Sequence, residues 1–112
     1  MEVERTKGSK PTYDLGHAQD LVAANKFYMT RRVAKFIRDK WDDRPNLAVA
    51  EIFAAIRQSD FHKSIELDML PGTFADVYFT EYGGETWYVK FYIDGGRTTV
   101  QILSCNIDGY VH

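Results

Sequence analysis

Apolar residues recur along this chain with two different periods, and one gives way to the other near residue 60. In the first part Leu15, Leu21 and Val22 follow Asp14, a side chain suited to accept from the unpaired N–H groups of a helix start. They predict a first helix running toward Asn25. Thr30 is placed to cap a second helix to about Trp41, with Val33, Phe36, Ile37 and Trp41 on one face and Arg31, Lys35 and Arg38 on another. The run Asp42-Asp43-Arg44-Pro45 ends it, and Asn46 is expected to cap a third helix through Ile52, Phe53 and Ile56 to about Gln58.

From Phe61 onward the period is two. A short strand is expected at Phe61–Leu67, stopped by Leu70-Pro71-Gly72, followed by strands at about 74–81, 86–94 and 98–105. Gly83-Gly84 and Gly95-Gly96 mark the turns between the last three, because glycine supplies the positive φ of tight hairpins. Helices first and a meander second predict an α+β fold, its N-terminal helices packed on one face of a C-terminal antiparallel sheet.

A two-residue loop at Gly95-Gly96 pairs Asp94 with Arg97, Phe91 with Val100 and Val89 with Ile102. Trp87, Val89, Phe91, Ile93, Val100 and Ile102 then share one apolar face, the expected core. A three-residue loop at Tyr82-Gly83-Gly84 adds Val77 and Phe79 to it. The opposite face is expected to carry Asp76, Tyr78, Tyr88, Lys90, Tyr92, Thr99 and Gln101, with Lys90 beside Gln101. Left clear of helices, such a face offers rings for bases to stack on and a cation for phosphate.

Composition narrows the class. At 112 residues and 45% hydrophobic, the chain is long enough for one core. Residues 1–11 read as a polar tail and 12–112 as the single folded unit. No apolar run approaches a membrane span, and the charged start is followed by no apolar stretch, so neither a membrane segment nor a signal peptide is expected. The lone cysteine, Cys105, fits a reducing cytoplasm and reads as a packed thiol. Three scattered histidines and one cysteine are too few for a tetrahedral metal site of the usual kind. No phosphate-cradling glycine loop, dinucleotide loop or serine-nucleophile elbow occurs, so neither metal nor cofactor is expected.

The net charge is −2, but residues 1–58 carry 11 Lys/Arg against 8 Asp/Glu, and residues 59–112 carry 3 against 8. A polyanion would find its counter-charge mainly on the first half. There the run Arg31, Arg32, Lys35, Arg38 and Lys40 is either a solvated helix face or a contact for RNA or a partner protein.

Ser59-Asp60-Phe61-His62-Lys63-Ser64 resembles the S-D-F-Y-K-S segment of the MqsR-family toxins. Pro11-Thr12-Tyr13-Asp14-Leu15 is similar to the family's P-T-Y-D-L opening, Phe74-Ala75-Asp76-Val77-Tyr78 to its W-Q-D-V-Y, and Tyr88-Val89-Lys90 to its Y-L-K. These segments follow the family's order over most of the chain. The resemblance implies a RelE-like fold, sequence-selective cleavage of single-stranded mRNA, and an antitoxin partner encoded by an adjacent gene. It carries the family's catalytic lysine onto Lys63 and its tyrosine onto Tyr88. The family's glutamine falls on Ala75, and its lysine near the C-terminus falls in Ser104-Cys105-Asn106, so two of four positions are kept.

Without metal, side chains must hold the phosphate and move the protons themselves. Lys63 reads either as a solvated lysine or as a phosphate contact, its ammonium suited to a phosphorane. Tyr88 reads as a plain strand tyrosine or as a group that orients or protonates. Lys90, Gln101, Tyr78, Arg31 and Lys35 are the expected substrate contacts; for Lys90 and Gln101 a cross-strand polar pair is the other reading. His62 is expected on the face opposite Lys63, and so outside catalysis, because neighbours in a strand alternate. His112 either frays with the terminus or, by analogy with other RelE-like nucleases, supplies the acid/base that the missing lysine leaves out. Two functions follow: a metal-independent endoribonuclease acting through the RNA 2′-OH, or a non-catalytic relative that binds an antitoxin or RNA.

Overall fold

The computed structural model describes residues 10–41 and 44–108. The chain folds as α1 (Leu15–Ala23), β1 (Phe27–Met29), α2 (Arg31–Trp41), α3 (Pro45–Ala54), a 3-10 turn (Gln58–Asp60), β2 (Phe61–Leu67), β3 (Leu70–Tyr82), β4 (Glu85–Ile93) and β5 (Val100–Ile107). The five strands form one sheet in the order β1-β5-β4-β3-β2. The α+β class and the helices-then-strands order agree with the sequence reading.

Asp14 caps α1 by accepting from the His17 N–H at 3.0 Å, and Thr30 caps α2 by accepting from the Val33 N–H at 3.2 Å. Asn46 does not cap α3. Pro45 opens that helix after Arg44, because its fixed φ suits the first turn and it has no N–H to satisfy. β1 was not foreseen. It is three residues long, too short to show a period, and it pairs parallel to β5, making the sheet mixed.

The helices cover one face of the sheet. Phe36 meets Trp87 edge-on at 5.9 Å, and Phe53 meets Phe91 at 4.9 Å. Trp87, Val89, Phe91, Ile93, Val100 and Ile102 are buried there, as the alternation required.

Both hairpin registers differ from expectation. The β4–β5 connection runs from 94 to 99, because the left-handed position falls on Arg97 (φ 57) and not on Gly95 or Gly96. Ile93 therefore pairs with Val100 and Phe91 with Ile102, a shift of two residues that keeps every face. One further residue inserted in β5 between the partners of Phe91 and Lys90 places Lys90 opposite Ser104 and not beside Gln101. The β3–β4 loop is two residues, Gly83 and Gly84, both at positive φ, so Tyr82 pairs with Glu85. That one-residue difference turns β3 over. Asp76 and Tyr78 enter the core face, while Val77 and Phe79 lie on the other side. β3 also begins earlier than expected. Asp68 and Met69 make the β2–β3 turn, and Pro71 and Gly72 are tolerated where β3 extends beyond its β4 pairing.

Candidate active site

The sheet face away from the helices carries the site, and its centre is one rank of residues across four strands. Lys63 on β2 lies opposite Val77 on β3, Val77 opposite Lys90 on β4, and Lys90 opposite Ser104 on β5. Opposed residues in a ladder share a face, so the two lysines stand on the same side, two strand spacings (roughly 10 Å) apart at the backbone. Both are half-buried, and Val77 between them is fully buried.

A β-bulge sits at each end of this rank. His62 and Lys63 together oppose Val77, and Leu103 and Ser104 together oppose Lys90. A bulge breaks the alternation of side chains, bends the strand and re-aims what it carries. The expected opposition of His62 and Lys63 is therefore overturned: the His62 ring meets Phe79 edge-on at 4.9 Å, on the open face. The Phe79 ring meets Tyr88 at 5.5 Å. Tyr88 is half-buried, opposite Phe79 on one side and Asn106 on the other. The face thus brings together Lys63, His62, Tyr88, Lys90, Ser104 and Asn106. The second bulge also returns Cys105 to the core, where burial pushes its thiol up to about 12.

The floor of this face is apolar. Ile65, Leu67, Ala75 and Val77 form a small buried cluster, with Tyr88, Tyr92 and Leu103 packed against it. Ala75 has no exposure. Gln101 lies farther along, opposite Tyr28 of β1 and Tyr92 of β4, as a polar residue between two tyrosines.

Two clefts open beside β5. One, of about 180 Å3, is lined by Arg32, Lys35 and Phe36 of α2 and by Ser104, Cys105 and Asn106. The other, of about 490 Å3, is lined by Arg32, Met69, Lys90, Tyr92, Leu103 and Ser104. They share Arg32, Leu103 and Ser104, so α2 brings cations to the margin of the open face. Lys35 pairs with Asp39 at 2.8 Å. Arg31 is exposed and lines neither cleft; its neighbour Arg32 lines both, because the helix turns about 100° per residue.

Tyr78 leaves the site. It is fully buried, stacked on Phe91 at 5.9 Å, and its hydroxyl has no hydrogen-bond partner among the described residues. Burial pushes its phenol upward. Asp76 is buried on the same side and accepts from the Thr12 and Tyr13 N–H groups, each at 2.9 Å. The Thr12 and Ser64 hydroxyls meet at 2.6 Å, and the Tyr13 hydroxyl donates to the Phe74 carbonyl at 2.7 Å. Thr12, Tyr13, Ser64 and Asp76 therefore tie the segment before α1 to β2 and β3, and Tyr78 packs in the core on the same side of β3. Lys63, His62 and Tyr88 face outward from the same frame.

Residues 1–9, the Asp42-Asp43 helix stop, Tyr110 and His112 lie outside the described residues. Among the described residues, no group of three or more His, Cys, Asp or Glu is placed to hold a metal ion, and no helix is long and apolar enough to cross a membrane.

The family model described as "Motility quorum-sensing regulator, toxin of MqsA" matches residues 10–104. No curated protein matches the chain.

Proposed function

This chain belongs to the MqsR family of toxins, and we propose that it is a metal-independent endoribonuclease cleaving single-stranded mRNA, restrained by an antitoxin encoded beside it. The observation that carries this reading is the doubly bulged rank, Lys63–Val77–Lys90–Ser104, with Tyr88 next to it on the same open face. Bulges concentrate beside active sites, and here two of them flank a pair of lysines on a clear sheet face.

In the proposed reaction the RNA 2′-oxygen attacks the adjacent phosphorus. The P–O5′ bond breaks, leaving a 2′,3′-cyclic phosphate and a 5′-hydroxyl. The Lys63 ammonium stabilises the extra charge on the phosphorane, and Lys90 neutralises a flanking phosphate. Tyr88 protonates the leaving 5′-oxygen. Tyr92, Gln101 and Tyr28 line the path of the strand, where rings accept bases by stacking. Arg32 and Lys35 meet the backbone at the β5 margin. Residues 12–112 act as one unit in the cytoplasm.

A second reading keeps the fold as a non-catalytic module that binds the antitoxin or RNA. It is favoured by Ala75 and by Ser104-Cys105-Asn106, which stand where the family has a glutamine and a lysine. Expression of this chain alone in a bacterial host separates the two. Growth arrest relieved by the neighbouring gene, with 2′,3′-cyclic phosphate ends on RNA cleaved by the purified protein, supports the nuclease. RNA binding without cleavage or arrest supports the second reading.

A further inference from the structure

We propose that His62 is the general base of the cleavage step, accepting the 2′-hydroxyl proton; this rests on the nuclease reading above. In a regular strand His62 and Lys63 would stand on opposite faces. The bulge places both against Val77, and the His62 ring packs on Phe79, whose other neighbour is the Tyr88 ring. His62 is exposed, whereas Lys63 and Tyr88 are half-buried, so the imidazole stands at the rim that an incoming strand meets first.

The chemistry of the face leaves this place open. An ammonium carries donors and no lone pair, so Lys63 and Lys90 serve the phosphate and not the proton. A phenol ordinarily keeps its proton near neutrality, which suits Tyr88 to donate. Neutral imidazole is the acceptor that titrates in that range. On the same face stand Lys63, its neighbour on β2, Tyr88 and Lys90 on β4, and Glu81 on β3, which accepts from the Thr86 hydroxyl. Asp60, before the strand, is held by the Arg57 N–H and pairs with its guanidinium at 3.6 Å.

The step balances with these groups alone. A ring nitrogen of His62 takes the 2′-hydroxyl proton as the 2′-oxygen bonds to phosphorus. The P–O5′ bond breaks, and the 5′-oxygen leaves with the Tyr88 proton. Exchange with water then returns both side chains to their starting forms.

The test is a single-turnover pH–rate profile on one defined RNA for the wild type, His62→Ala and His62→Gln, with thermal melting beside it. Wild-type rates should rise with pH and then level. Both variants should melt with the wild type, lose about a hundredfold or more in rate, and lose that rising limb. Added free imidazole should restore part of the rate to His62→Ala and none to Lys63→Met. Wild-type rates and an unchanged limb in both variants would overturn the assignment of His62 while leaving the nuclease reading intact. A wild type that cleaves no RNA would overturn both.

Discussion

Asp76 and Tyr78 belong to one of the motifs that carry the family resemblance, and both are interior residues. Burial raises the Asp76 carboxyl above its ordinary 3.8, against the lowering effect of the Thr12 and Tyr13 N–H groups. The folded protein therefore holds this proton to higher pH than the unfolded chain does. Asp76's titration contributes stability that is full below about 3.8 and declines as pH rises through the folded value. Asp76→Asn should flatten that slope in unfolding measured across the acid range. It should also cost about 1–3 kcal/mol, since the two backbone donors use different carboxylate oxygens and the amide NH2 would replace one of them. Tyr78→Phe should do the reverse. It removes a buried hydroxyl with no partner among the described residues, so the melting temperature should rise, by about 1 kcal/mol in stability, with RNA cleavage unchanged. A loss of cleavage would return Tyr78 to the site. The motif letters were legible in the sequence, but their side of the sheet was not, because it hung on a single residue of loop length at Gly83-Gly84.

At the scale of elements, α2 is anchored by Val33 and Ile37 in the core and by Phe36 against Trp87. Thr30 caps it, and its Arg32 and Lys35 line the cleft beside Ser104 and Asn106. Thr30→Ala should cost about 1 kcal/mol, read as a lowered midpoint in urea unfolding. The three helices and four long strands were legible from the change of apolar period near residue 60 together with the caps, proline and glycines that bound them. The core face of β4 and β5 survived a wrong register, since a shift of two residues preserves parity. The bulges were not legible. Neither Phe61-His62-Lys63 nor Ile102-Leu103-Ser104 carries a glycine or any other local sign of an inserted residue, and a bulge is defined by the strand opposite it. The alternation that would set His62 opposite Lys63 fails for that reason. β1 was missed because three residues exchange too little burial to leave a pattern.

The whole molecule is an asymmetric sandwich: helices on one face of the sheet, and on the other a small apolar floor ringed by lysines, tyrosines and one histidine. Overall charge is −2, so recognition of a polyanion depends on where the cations sit and not on their number. Binding of single-stranded RNA should accordingly be weak and only shallowly salt-dependent, because few phosphates are neutralised at once. Cleavage should persist in excess EDTA, because every group in the proposed step is a side chain; loss on chelation with recovery on adding a divalent ion would refute that mechanism. The outward face of this frame, organised around Lys63, is the surface proposed to cleave RNA. The most direct measurement is the single-turnover cleavage rate of Lys63→Met against the wild type, with melting curves of both. The expected result is a folded variant slower by about a hundred- to a thousandfold, the loss of one charged hydrogen bond to a transition-state phosphate worth ~3–4 kcal/mol. An equally stable Lys63→Met protein that cleaves at the wild-type rate would contradict the account.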